Sequence, residues 1–323
     1  MVYNPSDLVI KASGNQAVNV NPTHGVDFKI TNRGSDWLWA CFSVFGFLTA
    51  LYTLLLFLNR VGNRFKKVVY ASIVWIGIVM TFNYYAMASN LGWAGINAEF
   101  NNITVSNQSA NPGVRQIFYT KFIAWVLSWP AYILIIEASS LEGDFDGARL
   151  FDLLEAYLIQ VGGLEVLSIG LLLSSLIKST YKWGFWVFAA SGVITYSAFF
   201  VYRHIFQLYT RGLKLLILFV SIVVILLYPV AYALSDGGNV IQPDAAAVFF
   251  GILDWCSFVI LPIFISWVSC SGSASFLPTI FKERKLPEKP AADTEKQEPA
   301  SIRASGETEI PEVVDTGDSE EST

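Results

Sequence analysis

Seven apolar runs of roughly 20 residues each, parted by short polar stretches, constrain this chain more than any other feature in it. They lie at roughly 37–59, 68–90, 116–138, 152–175, 182–203, 213–235 and 245–269. A helix of that length crosses the hydrocarbon core of a bilayer. Lipid offers the backbone no water to bond, so the N–H and C=O groups of each run must be satisfied within the run itself. The composition agrees: 54% of the 323 residues are hydrophobic and only 15% are charged. That is too apolar for an ordinary soluble domain of this size. The expected class is an all-α membrane protein, a seven-transmembrane helix bundle with lipid as its first partner.

The chain divides into three regions. Residues 1–35 form a polar N-terminal segment, 36–270 the membrane domain and 271–323 a polar tail. The first run, about 22 residues long, exceeds a cleavable signal core. It is expected to serve as both insertion signal and permanent span. Basic residues gather in the first loop (Arg60, Arg64, Lys66, Lys67), the fifth (Arg203, Arg211, Lys214) and the start of the tail (Lys282, Arg284, Lys285). With seven spans these lie on one side, and the positive-inside rule makes that side cytoplasmic. The acidic loop from Glu142 to Asp152 argues the other way, but acidic residues weigh little in that rule. The N-terminus is then extracellular and the tail cytoplasmic.

The loop 91–115 is long and polar, with glycosylation sequons at Asn102 and Asn107; a short hairpin capping the bundle suits it. The tail is rich in Glu, Asp, Ser, Thr, Lys and Pro and cannot build a core. It is read as disordered, either a soluble spacer or a docking and phosphorylation segment.

Ionisable groups inside a bilayer are costly and need partners or water. Lys121 lies about one turn into span three and Asp254 in the middle of span seven. A Lys121–Asp254 pair would neutralise both, with Tyr228 and either Tyr84 or Tyr85 donating to the carboxylate. The alternative is a Lys121 that snorkels to the headgroups while Asp254 merely ties helices together. Trp125 and Trp129 follow Lys121 at four-residue intervals, and Tyr232 follows Tyr228. Pro130 and Pro229 are expected to bend their spans. These residues either line a central pocket or pack solidly against one another. Glu137, Glu155 and Glu165 form an inner polar path, mark the ends of spans or face a wetted crevice. Gly162 and Gly163 suit close helix packing.

Three motifs, in order along the seven spans, carry a resemblance. Lys121-Phe-Ile-Ala-Trp-Val-Leu-Ser-Trp-Pro130 resembles the third-helix motif of microbial rhodopsins, Arg-Tyr-x-Asp-Trp-x-x-Thr-x-Pro. Tyr228-Pro229 resembles their sixth-helix Tyr-Pro, and Leu253-Asp254-x-x-x-Phe258 their seventh-helix Leu-Asp-x-x-x-Lys. The resemblance covers about residues 35 to 270 and implies a bundle of microbial-rhodopsin type. By this correspondence Trp125, Ser128, Tyr228, Tyr232 and Asp254 hold vestigial retinal-pocket positions. Phe258 stands at the attachment lysine, Ala124 at the proton acceptor and Ile135 at the proton donor. A Schiff base requires an amine, and no residue of span seven supplies one.

Within that superfamily the chain is similar to the opsin-related proteins of fungi, the group of the yeast thirty-kilodalton heat-shock membrane protein. The matching stretches are Asn32-Arg-Gly-Ser-Asp-Trp-Leu-Trp39, Ala88-Ser-Asn-Leu-Gly-Trp93 and Pro112-Gly-Val-Arg-Gln-Ile-Phe-Tyr119. That resemblance implies a plasma-membrane protein of the stress response, without a cofactor, that restrains the proton-pumping ATPase. Oligomers are expected, since related bundles assemble through their lipid-facing sides. The rival readings are a passive proton or ion carrier, and a noncovalent sensor of retinal, sterol or another apolar ligand. Enzyme activity has no support: there is no nucleotide loop, no metal-ligand spacing and no catalytic carboxylate pair. Nothing points to nucleic acid.

Overall fold

The computed structural model describes residues 14–59, 64–98, 113–140 and 150–270. The two sequons, the acidic loop after Ser140 and the tail beyond Cys270 lie outside the described residues. Seven long helices account for the seven apolar runs. They are α1 (Asn32–Leu58), α2 (Arg64–Ala88), α3 (Thr120–Ser140), α4 (Leu150–Leu176), α5 (Lys182–Val201), α6 (Gly212–Tyr232) and α7 (Pro243–Trp255, resuming at Leu261–Cys270). Consecutive helices pack side by side, α1 closes the ring on α7, and α3 also touches α7 across the middle. The central helix is α3, the most buried of the seven.

Helix ends follow local chemistry. Thr31 caps α1 by accepting from Arg33 N at 3.2 Å. Pro243 opens α7, where its missing N–H costs nothing, and Asp244 comes next in the first turn. The Asp244 carboxylate accepts from Thr31 N at 2.8 Å and from Thr31 Oγ1 at 2.5 Å, tying the starts of α1 and α7 together. Asn90, after α2, and Asn239, after α6, turn the chain at positive φ (57° and 53°), where asparagine is among the few tolerant residues.

The loop after α2 forms the expected hairpin. Strand β1 (Trp93–Asn97) pairs antiparallel with β2 (Val114–Phe118), in register Gly95 with Gln116. Phe28 of the N-terminal segment bridges to Arg115 and is fully buried. Span three accordingly starts at Thr120 rather than at 116, because the run from Val114 to Phe118 is spent on the sheet.

Large apolar side chains face outward all round the bundle: Phe47, Phe82 and Ile194 are 70%, 71% and 64% exposed. Such a surface is compatible with a hydrocarbon solvent, where apolar faces carry no penalty. Where helices meet most closely the contacts are glycine. A Cβ on Gly163 would lie 2.9 Å from Tyr196 Cβ, and one on Gly192 would lie 2.7 Å from the Gly163 carbonyl. Gly162 has open space around it. Of the glycine pair in α4, only Gly163 therefore serves packing.

Three π-helical turns interrupt the last three spans: Tyr202–Gln207 after α5, Ala233–Gly237 after α6 and Cys256–Ile260 within α7. Such a turn inserts an extra residue and rotates the helix beyond it, and π turns cluster at functional sites. In this bundle the first carries Arg203 and His204, the second Asp236 and the third Phe258, all of them buried.

Candidate functional site

Three groups of buried polar side chains are threaded along α3. The group nearest the hairpin centres on Asp236 in the π turn that ends span six. Lys121 Nζ donates to Asp236 Oδ2, and Arg115 Nε lies 3.8 Å from Asp236 Oδ1. Arg115 also donates through Nη1 to Asn239 Oδ1 at 2.6 Å and to the Ile241 carbonyl at 2.8 Å. The Lys121 ammonium sits over the Phe250 ring, 3.8 Å from its centroid, a cation–π contact. Burial lowers the Arg115 pKa, and the Asp236 carboxylate acts against that shift. Behind the turn, Lys182 Nζ donates to the Gly237 carbonyl at 2.7 Å.

The expected Lys121–Asp254 pair is thus not formed, and Lys121, only 5% exposed, does not snorkel. The physical reason is depth. Asp254 lies level with Trp125, about one turn further along α3, and its carboxylate is occupied by other donors. Trp125 Nε1 donates to Oδ1 at 2.9 Å, Tyr228 OH to Oδ1 at 2.8 Å and Tyr84 OH to Oδ2 at 2.6 Å. Hydrogen bonds to an ionised acceptor are the strong ones, and three of them replace the hydration that burial removes. The tyrosine of α2 that serves this site is Tyr84, not Tyr85. Neighbours on a helix point about 100° apart, so the two cannot both face inward. Tyr85 is 49% exposed and packs its ring against Trp39 and Phe42.

Around and below Asp254 the centre is filled by aromatic rings. Trp125 meets Tyr228 edge-on at 4.9 Å between centroids. Phe258 is fully buried, its ring 4.6 Å from Trp129 and 6.1 Å from Tyr132. Trp129 Nε1 donates to Ser168 Oγ at 3.0 Å, and Tyr132 OH and Ser221 Oγ stand 2.5 Å apart. Tyr232 reaches sideways to Ser174 Oγ at 2.8 Å instead of toward Asp254. Ser128 is fully buried, and among the described residues its Oγ has no hydrogen-bond partner. These residues do not fit a covalently attached retinal: α7 carries no amine, and Phe258 places a packed ring where the attachment chain would run.

The third group lies toward the far end of α3. Glu137, with no exposed surface, accepts from Gln160 Nε2 at 2.5 Å and from Arg203 Nη2 at 3.2 Å. His204 Nε2 stands 3.9 Å from the same carboxylate, and His204 Nδ1 is 3.3 Å from Ser140 Oγ. Glu137 therefore faces no wetted crevice. Of the other glutamates, Glu155 is exposed, and Glu165 is half-buried with neither carboxyl oxygen hydrogen-bonded among the described residues.

The sequence does not mark Asp236, Arg115, Gln160, Arg203 or His204 as site residues. Asp236 carried a readable signal: Tyr228, Tyr232 and Asp236 recur every four residues, one helical face. The Gly237-Gly238 pair that follows reads as a loop, and the expected span stops at 235, one residue short of Asp236. Arg203 reads as a loop cation of the topology rule, yet it is buried and ion-paired with Glu137.

No protein-family model matches the chain. Among curated proteins it is similar to the 30 kDa heat shock protein of Saccharomyces cerevisiae, 40% identical over 319 residues that cover 92% of this chain and 93% of that one. It is also similar to the opsin-like protein carO of Fusarium fujikuroi, 31% identical over 266 residues, covering 79% and 81%. Among solved structures the light-driven proton pump of Leptosphaeria maculans matches with a TM-score of 0.61 at 18% identity, over 76% of this chain and 98% of that one. Halorhodopsin, a light-driven chloride pump, matches with a TM-score of 0.60 at 14% identity, over 75% and 98%. At such identities the structures speak for the fold alone.

Proposed function

The chain belongs to the fungal family of the 30 kDa heat shock protein and the opsin-like protein carO, and on that footing we propose that it is a non-photoactive, non-enzymatic membrane protein acting in the stress response of the plasma membrane. The observation that carries the reading is Phe258. Its ring packs between Trp129 and Tyr132 in a span without an amine, while Asp254 is held by Trp125, Tyr228 and Tyr84 rather than facing a cationic Schiff base. With three neutral donors and no cation at hydrogen-bond distance among the described residues, Asp254 is a structural tie between α2, α3, α6 and α7.

The test is an absorbance spectrum of the purified protein before and after all-trans retinal, with Phe258→Lys alongside. The wild type stays colourless and the variant gains a visible band. A shifted band in the wild type that survives washing would overturn the reading and favour a noncovalent sensor.

The name of the yeast relative supports the stress role. The action proposed is restraint of a membrane partner, the proton-pumping ATPase. ATP-driven proton uptake by plasma-membrane vesicles should rise when the protein is deleted; unchanged rates would remove the ATPase as partner. The proposed orientation places the hairpin outside and the tail inside. It rests on Lys66, Lys67, Arg211, Lys214 and the basic start of the tail, since Arg203 is taken by Glu137.

Buried ionisable groups toward both ends of α3 favour a second reading, passive proton or ion conduction. The aromatic layer of Trp129, Tyr132 and Phe258 between them argues against it. Proton flux in liposomes of the purified protein decides, and restraint of a partner alone predicts none.

A further inference from the structure

At the hairpin end of the bundle a crevice with a cavity volume of about 30 Å³ runs between β2 and the starts of α3 and α7. Its walls are apolar, with Ile30, Leu38 and Phe250 among them, and its charged lining is Arg115, Lys121 and Asp236. Two cations share one carboxylate, so the lining carries a net charge of one positive unit. Neither cation is a solvated surface residue: Arg115 is 1% exposed and Lys121 5%.

Donor capacity is left over as well as charge. Arg115 Nε is buried and has no hydrogen-bond partner among the described residues. An ammonium has three protons to give, and Asp236 takes one of those on Lys121. Gln116, also in the wall, is held by other partners: its Nε2 donates to Asn90 Oδ1 and its Oε1 accepts from Ile30 N. Asp254 does not supply the missing negative charge at hydrogen-bond distance, because its oxygens are taken by Trp125, Tyr228 and Tyr84. A buried cation in apolar walls attracts an anion far more strongly than one in water.

We propose that this crevice binds a small monovalent anion, held between Arg115 and Lys121 beside Asp236. One unit of surplus charge fits one unit of ligand charge, and a divalent anion would bring an unmatched charge into an apolar site. The site is independent of whether the protein restrains a partner or conducts, because it opens at the hairpin end and needs no path through the bundle.

The experiment is the thermal unfolding midpoint of the full chain in detergent, at constant sodium and ionic strength, as gluconate is replaced by chloride or, in a parallel arm, by formate. The two arms separate a spherical from a planar occupant. In either arm the expected result is a saturable rise, on the order of 3 °C at ten times the dissociation constant. It should vanish in Arg115→Gln. It should also vanish in Ala247→Phe, which fills the crevice and leaves every charge in place, so the test stands even where Arg115→Gln fails to fold. Flat midpoints in both arms, or an equal rise in the wild type and Ala247→Phe, would overturn the proposal.

Discussion

Replacing Asp236 by Asn should destabilise the bundle more than replacing Asp254 by Asn, although Asp254 belongs to the better-known sequence motif. In the first variant Arg115 and Lys121 lose the carboxylate they share, and two buried cations are left without a counter-charge. Breaking a buried pair by removing one partner costs about 3–5 kcal/mol. For a domain of this size that lowers the midpoint by roughly 6–20 °C. In the second variant the three donors to the carboxylate are neutral. Asparagine keeps one oxygen for Trp125 and Tyr228, and the Tyr84 hydroxyl can rotate to accept from the new amide, so the loss is nearer 1–3 kcal/mol. The assay is thermal unfolding in detergent monitored by tryptophan fluorescence, at one scan rate throughout, because such unfolding is often irreversible. A Lys121→Met change on the Asp236→Asn background should recover part of the loss, since it removes one orphaned cation. If Asp254→Asn proves the more damaging, or Lys121→Met on that background deepens the loss, the Lys121–Asp236 pairing is wrong and Lys121 belongs to Asp254.

Other substitutions test neighbouring contacts. Tyr84→Phe removes a donor to Asp254 and should cost roughly 1.5–3 kcal/mol, whereas Tyr85→Phe, on the outer surface, should stay within about 0.5 kcal/mol, both read as unfolding midpoints. Gly192→Leu drives a side chain into the Gly163 carbonyl and should cost about 1–3 kcal/mol. Gly162→Ala meets open space in the same helix pair and should be neutral or stabilise by up to ~1 kcal/mol; equal damage from the two would discredit the close α4–α5 contact.

The seven spans and the hairpin were legible in the sequence. Their causes are local: apolar run length, the backbone's need to bond itself in lipid, and motif residues spaced by helical turns. Trp125, Tyr228 and Asp254 could be grouped for the same reason, each motif recurring at one depth of a known kind of bundle. What could not be read was which charge answers which. Lys121 sees Asp236 because a π turn after Tyr232 extends span six by a few residues and carries that carboxylate over the start of α3. Arg203 sees Glu137 because another π turn extends span five. Residues 84 and 85 are both tyrosine, so composition could not say which faces inward. Hydropathy fixes where a helix lies in the membrane, but a rotation of 100° or a one-residue bulge leaves hydropathy unchanged and alters every partner. The number and order of the spans were therefore properties of the sequence. The ion pairs, the ring at Phe258 and the charged crevice were settled only when seven helices packed around α3.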